Sequence, residues 1–363
     1  MIYKPEDVLK IAKRFNNKKR SFLLVNPLQG KHLPVSPAKS LEMMKSLGEK
    51  IKKNYPDTKL VIGFAETATA IGAMVTNSLC DCIYLQTTRE NLPDCIEFLE
   101  EHSHAPEQKI YAKNLAKYIA ETKTVIFVDD EISTGKTLRN IVKQLKTQFP
   151  ILNEKKLVAA SILNRLSNEN LQLLQNDNIS CEYLVKISDN NFNVEDINIE
   201  APKILPPSSD VSIAEFHKIE LQNNPRFGVN IQDYINELND TCKNMSKFID
   251  STSKSVLILG TEECMIPAIF FGKTLEDRGF KVYTHSTTRS PIGICQNNDY
   301  PIFEGFQLKS FYDENRITFI YNLRYYDWVI VISDVKYWNE ISVKSLISAL
   351  NVHGCNKIIF FGG

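Results

Sequence analysis

Thr124–Thr137 reads TVIFVDDEISTGKT. An apolar run, Val125 to Val128, stops at two adjacent carboxylates, Asp129 and Asp130. Three residues separate these acids from a small-residue turn, Thr134-Gly135-Lys136-Thr137. Behind the turn, Leu138, Ile141, Val142 and Leu145 fall at helical spacing. The stretch is therefore a buried strand, an acid pair, a turn and a helix. Such a turn aims backbone N–H groups and hydroxyls at an anion, aided by the start of the helix. The acids accept hydrogen bonds from sugar hydroxyls or hold a hydrated Mg2+. Together they fit a sugar phosphate better than a strand ending in solvated acids. A nucleoside-triphosphate P-loop is not expected. It needs a glycine five residues before the Gly-Lys pair, and Asp130 stands there.

Outward from this stretch, strand patterns alternate with helical ones. Residues 5–16 read as a short helix, Ser21–Val25 as a strand, Asn26–Gly30 as a turn and Lys31–Val35 as a returning strand. Leu41, Met44, Leu47, Gly48 and Ile51 share one face of a helix over 40–53. Leu60–Ile62 is a buried strand that runs into Gly63-Phe64-Ala65-Glu66-Thr67-Ala68-Thr69 and a small-residue helix ending at Leu79, a second anion-receptive passage. Cys82–Leu85 is a strand ending at Thr87-Thr88-Arg89, and 90–108 is a polar, punctuated loop. Leu157–Leu163 ends at Asn164-Arg165, and Cys181–Ile187 closes the series. This alternation predicts an α/β fold with a doubly wound parallel sheet. Ligands of such sheets sit at the carboxyl ends of strands. Glu66, Thr87–Arg89, Asp129–Thr137 and Asn164-Arg165 all fall at such ends.

Length and composition bound the reading. The 363 residues suffice for about two to three domains. Lys plus Arg and Asp plus Glu are equal at 43 each, so the net charge is zero. That balance gives no support for bulk nucleic-acid or membrane binding. The opening MIYKPEDVLKIAKRFNNKKR is charged and lacks the apolar core of a signal peptide. No apolar run approaches the ~20 residues of a membrane span. The eight cysteines include no C-x-x-C pair, and Cys264, Cys295 and Cys355 sit in or beside apolar runs, as core thiols do. A reduced cytoplasmic protein without a zinc site is expected.

VDDEISTGKT resembles the phosphoribosyl-pyrophosphate (PRPP) signature of type I phosphoribosyltransferases, in which an apolar strand and two acids precede T-G-x-T. The resemblance implies that Asp129 and Asp130 hold the ribose 2- and 3-hydroxyls and, mainly through the substrate, Mg2+. Ser133, Thr134, Gly135, Lys136 and Thr137 would wrap the 5-phosphate. SFLLVNPLQGKHLPV is similar to the N-terminal hairpin of orotate phosphoribosyltransferases, and GFAETAT takes the place of their pyrophosphate loop. Ala65, Glu66 and Thr67 are then substrate contacts. Arg89 falls where that family places a basic residue before a mobile loop, and it joins the two aspartates as a catalytic residue. That pyrophosphate loop usually carries a basic residue or a glycine pair, whereas here Glu66 stands. Arg89 or a second metal ion would have to compensate. More narrowly, AETAT, TTR and EEHSHA resemble an orotate-transferase-like family of bacterial tellurite-resistance stress operons. Members of that family often carry a C-terminal domain named for T-R-S-P, found here at Thr288–Pro291.

Lys31, His32, Arg165 and the loop histidines His102 and His104 are candidates to contact the acceptor. The H-x-H pair suits proton transfer or metal binding, yet no third ligand has zinc spacing, and a solvated loop stays open as a reading. The second half of the chain echoes the first. Asn26-Pro27-x-x-Gly30 matches Asn224-Pro225-x-x-Gly228, LVIGFAET (60–67) matches VLILGTEEC (256–264), Thr87-Thr88-Arg89 matches Thr287-Thr288-Arg289, and VIFVDD (125–130) matches VIVISD (329–334). Ordered matches at a nearly fixed offset signal duplicated architecture. A phosphoribosyltransferase domain over 1–200 is thus expected, then a proline- and serine-rich linker over 200–215, then a degenerate copy of the fold over 216–363. The copy has no second acid after Asp334 and no T-G-x-T, so it should not hold a 5-phosphate in the same way. Its Glu262, Glu263 and TTRSP loop are left to bind an acceptor or product, or to cap the first site. The expected activity joins ribose 5-phosphate of PRPP to a base-like acceptor with release of pyrophosphate, with a homodimer allowed for. The alternatives are a PRPP-sensing regulator, which Glu66 favours, and an interaction protein with vestigial folds, which the intact turn disfavours.

Overall fold

The computed structural model describes residues 2–16, 21–98, 108–188, 192–249 and 255–363. They form two compact units that no single cut of the sequence separates. The first unit takes 1–5, 42–190 and 222–237; the second takes 6–41, 191–221 and 238–363. Each half of the chain therefore lends a segment to the unit built mainly from the other.

The first unit is built on a six-stranded sheet. Its strands run in the order Val229–Asn230, Ile83–Gln86, Thr58–Gly63, Thr124–Ile132, Lys156–Asn164 and Ile179–Lys186. All neighbours are parallel except the first pair. Leaving out the borrowed edge strand 229–230, the order by sequence is 2-1-3-4-5, a doubly wound arrangement that reverses direction between 58–63 and 124–132. Small residues let the first crossover helix, Thr69–Asn77, lie close to the sheet. A Cβ at Gly72 would stand 2.9 Å from the Cα of Gly63. The helix Pro37–Asn54 buries Met44, Leu47 and Ile51 as the spacing predicts, and Met43 with them. The signature helix Lys136–Gln148 buries Leu138, Ile141, Val142 and Leu145.

In the second unit the parallel order is Ala214–His217, Ile358–Phe361, Trp328–Ile332, Ser255–Gly260 and Lys281–Ser286. Among this sheet's four strands from 255 onward the order is again 2-1-3-4. Leu257, Val329 and Phe360 enter one core and Val256, Ile330 and Phe361 the other, so the sheet is covered on both faces. The expected duplication thus appears as the same strand order.

Several local expectations are corrected. Only Pro5–Val8 is helical at the N-terminus; Lys10–Lys13 is a strand, paired antiparallel with Phe22–Val25. Lys31–Val35 is not the returning strand, since only Val35 bridges, to Thr284. Residues 90–108 are not wholly loop: Cys95–Phe98 pairs antiparallel with Gln108–Tyr111. The 200–215 segment is not merely a linker. Lys203–Ile204 pairs with Gly305–Lys309, and 214–217 with 358–361. All eight cysteines are free thiols; Cys264 and Cys355 are buried and Cys295 is half-buried. No described helix is long and apolar enough to cross a membrane.

Candidate active site

Two loops meet at the switch point of the first sheet. After 58–63 the chain continues beside its neighbour, with Phe64 N–H donating to Val128 O at 2.9 Å. Ala65 N–H then donates to Thr87 Oγ1 at 2.8 Å, and Thr87 N–H to Gly63 O at 2.9 Å. Thr87 Oγ1 itself donates to Gln108 Oε1 at 2.6 Å. The Ala65–Glu66 peptide is cis, and Glu66 is buried. Thr67 Oγ1 donates to Asp130 Oδ1 at 2.8 Å, which ties the passage after strand 58–63 to the acid pair.

Asp129 and Asp130 lie side by side near the end of 124–132, and Asp130 N–H donates to Asp129 Oδ1 at 2.9 Å. Loss of solvation, followed by the charge of Asp130, raises the pKa of Asp129 well above the usual carboxylate range. Beyond the acids, Ser133, Thr134 and Lys136 are exposed and Gly135 is half-buried. Gly135 has φ +70 at the N-cap of the signature helix, a backbone conformation that favours glycine. Lys136 N–H donates to Thr134 Oγ1 at 3.3 Å. The bend is open to solvent rather than plugged by side chains.

Arg89 follows the Thr87-Thr88 corner and is exposed. Arg165 reaches the same end of the sheet, where its Nη1 donates to Glu131 Oε1 at 2.6 Å. The structure thus brings Ala65, Glu66, Thr67, Arg89, Asp129, Asp130, the 133–137 turn and Arg165 to the carboxyl ends of one sheet. His102 and His104 lie outside the described residues. Lys31 belongs to the second unit, fully buried, with Nζ donating to the carbonyls of Glu262 at 2.6 Å and Thr287 at 3.0 Å. His32 is buried there as well. Lys31 is thus held by carbonyls within the second unit. Sequence reasoning missed Gln108 and Glu131. The third acid of DDE was visible, but the partner of Glu131 is 34 residues away. Beside the turn opens a cavity of about 810 Å3 walled by Thr134, Lys136, Arg139, Lys143, Lys146 and Asp177, among others. Neither Asp129 nor Asp130 lines it.

The equivalent end of the second sheet is filled by its own side chains. Glu262 N–H donates to Thr287 Oγ1 at 3.0 Å, as Ala65 does to Thr87, so Glu262 is the counterpart of Ala65. Its carboxylate, fully buried, accepts from Arg289 Nε at 2.6 Å, from Arg316 Nη1 at 3.2 Å and from the Ser310 hydroxyl. Tyr312 OH donates to Asp334 Oδ1 at 2.5 Å. Where the first unit has a small residue and an open turn, the copy has internal ion pairs. Among the described residues, no group of three or more His, Cys, Asp or Glu is placed to hold a metal on protein ligands alone.

A doubly wound parallel sheet with an acid pair and a solvent-open T-G-x-T turn at its switch point places the protein in the α/β class. Residues 8–188 match the family model described as phosphoribosyl transferase, and residues 223–350 match the TRSP domain that lies C-terminal to it. The chain belongs to that phosphoribosyltransferase family. Among solved structures it is similar to the adenine phosphoribosyltransferase of Trypanosoma brucei, at 16% identity and TM-score 0.36, covering 50% of this chain and 77% of that one. It is similar to that of Giardia lamblia, at 16% and 0.36, covering 50% and 94%. The orotate phosphoribosyltransferase of Aeropyrum pernix is similar at 14% and 0.31, covering 48% and 87%. No curated protein matches the chain.

Proposed function

We propose that this protein transfers ribose 5-phosphate between PRPP and a base-like acceptor, with release of pyrophosphate. The observation that carries the reading is the acid pair beside the open turn, with Thr67 fixing Asp130. In this reading, amides and hydroxyls of 133–137 hold the 5-phosphate. Asp129 and Asp130 accept the ribose hydroxyls, and Arg89 faces the pyrophosphate. Displacement at the anomeric carbon passes through an oxocarbenium-like state, so carboxylates near the ring stabilise the positive charge that develops. Positioning supplies much of the rest.

The acids suit Mg2+. A carboxyl whose ionisation is opposed by its neighbour gains from a nearby cation or hydroxyl donors. Mg2+ usually takes one or two carboxylates together with substrate phosphates. Bound with the donor, the ion would neutralise the departing pyrophosphate. The buried Glu66 in the pyrophosphate loop supports a second reading, a PRPP-binding regulator without turnover. The narrower resemblance of the sequence suggests a nucleotide-like product.

Pyrophosphate release from PRPP with Mg2+, assayed across a panel of bases, separates the two. A transferase releases it with at least one base, whereas a regulator binds PRPP and releases none. Each charge-assisted hydrogen bond contributes about 1.5–3 kcal/mol, so losing either acid should slow transfer roughly tenfold or more. Asp129→Asn with Asp130→Asn is expected to abolish transfer and keep the fold by circular dichroism. Near-normal turnover in that double variant would refute the assignment.

A further inference from the structure

Arg226 belongs to the C-terminal half by sequence and to the first unit by structure. The turn that carries it is pinned at several points. Asn224 Oδ1 accepts the Arg226 N–H at 3.0 Å, Gly228 adopts φ +80, and Val229 pairs antiparallel with Tyr84 at the edge of the sheet. The Phe227 ring meets the Tyr111 ring edge-on at 4.9 Å. Arg226 itself is buried, and its Nε donates to Thr88 Oγ1 at 3.3 Å. The same oxygen accepts the Glu90 N–H at 3.0 Å. The Thr88 backbone exchanges bonds with Lys109 at 2.9 and 2.8 Å. Arg89 thus leaves the sheet between two residues that Thr88 Oγ1 and its partners hold in place.

The second unit holds the counterpart. Asn26 Oδ1 accepts the Leu28 N–H at 2.9 Å, Gly30 has φ +75, and Val35 bridges Thr284. The buried cation there is Lys31, bonded to the carbonyl of Thr287 at the T-T-R corner. In both units a buried cation inside or just after an N-P-x-x-G turn from the opposite half of the chain meets the T-T-R corner, Arg226 within its turn and Lys31 immediately after its own. Burying a guanidinium is costly unless its donors are satisfied, and its rigid fork gives it direction.

We propose that Arg226 is a positioning residue of the transferase site. It fixes the Thr88–Glu90 corner and so aims Arg89 at the pyrophosphate end of the donor. The C-terminal half thereby completes the site of the N-terminal half. This rests on the PRPP reading given above.

The test uses the full chain, calorimetry with Mg2+ and two ligands, PRPP and ribose 5-phosphate, well below the thermal transition. Arg226→Ala should weaken PRPP about tenfold, by the size of one charged hydrogen bond, and leave ribose 5-phosphate, which lacks the pyrophosphate, unchanged. Arg226→Lys should recover part of the loss. Thr88→Val should reproduce it, and the Thr88→Val, Arg226→Ala pair should bind no worse than the weaker single variant. Unchanged PRPP affinity in Arg226→Ala, or equal weakening of both ligands, would overturn the inference while the parent still binds PRPP. A parent that binds neither ligand would sink the PRPP reading and this inference with it.

Discussion

Asp129 is the site carboxyl that the protein pushes well above the usual carboxylate range. Its carboxyl is raised by burial and by Asp130, so ionising it in the unliganded protein is unfavourable. A group whose folded pKa lies above its unfolded value adds stability that is complete below the unfolded pKa. That stability is lost as pH rises through the folded pKa. Near neutral pH the free protein therefore carries a cost that Asn would remove, because Asn keeps an Oδ1 to accept the Asp130 N–H. Asp129→Asn is expected to raise the thermal midpoint without ligand, by about 2–4 °C per kcal/mol relieved, and to lose transfer, a trade between stability and activity. Differential scanning calorimetry at pH 7 checks it; a lower midpoint contradicts it. If the proposed function holds, PRPP affinity should weaken as pH falls through the raised pKa, because in that reading the ribose hydroxyls bond the carboxylate. The strand, acid pair, turn and helix were legible because they form one contiguous stretch whose spacing sets its local geometry. The contact between Arg226 and Thr88 was not, because it joins residues 138 apart.

At the scale of elements, the long periodic pieces were readable and the short paired ones were not. Helix 136–148 and the buried strands declared themselves by spacing, and their observed bounds lie close to the expected ones. The stretch 5–16 has apolar residues at helical intervals, yet pairing of 10–13 with 22–25 decides its form. Pairing is non-local, so tertiary context overrides a weak local preference. The strand 95–98 was hidden in the same way, inside a polar stretch. Close approach of helices was visible only as a glycine in the pattern. A Cβ at Gly48 would stand 2.2 Å from Ser78 Oγ and 3.2 Å from Met74 O. Gly48→Val should force helices 37–54 and 69–77 apart and cost about 1–3 kcal/mol. Urea unfolding measures this; an unchanged midpoint would show that the helices give way freely.

For the whole molecule, the four echoes in the sequence announced a duplication, and the common 2-1-3-4 strand order is its structural form. What the echoes could not announce is where each N-P-x-x-G turn docks. A boundary near 200 was the natural reading of a proline-rich stretch, and each compact unit takes segments from both sides of it. A fragment ending at residue 200 lacks 222–237 and retains 6–41 without the unit that houses it. It is expected to show no cooperative thermal transition by circular dichroism, and mixing it with 201–363 should restore one. A sharp transition from 1–200 alone would mean that the borrowed segment is dispensable.

The borrowed edge strand also bears on biosynthesis. Until residues 229–230 leave the ribosome, the strand 83–86 presents an unpaired margin of amides and carbonyls, the kind of edge that recruits other chains. At ~5–20 residues per second, that interval lasts on the order of ten seconds. The nascent amino-terminal sheet therefore waits, sticky and incomplete, for a strip of polypeptide not yet translated. Synonymous slowing of translation between the two segments would lengthen that exposure and lower the yield of soluble product.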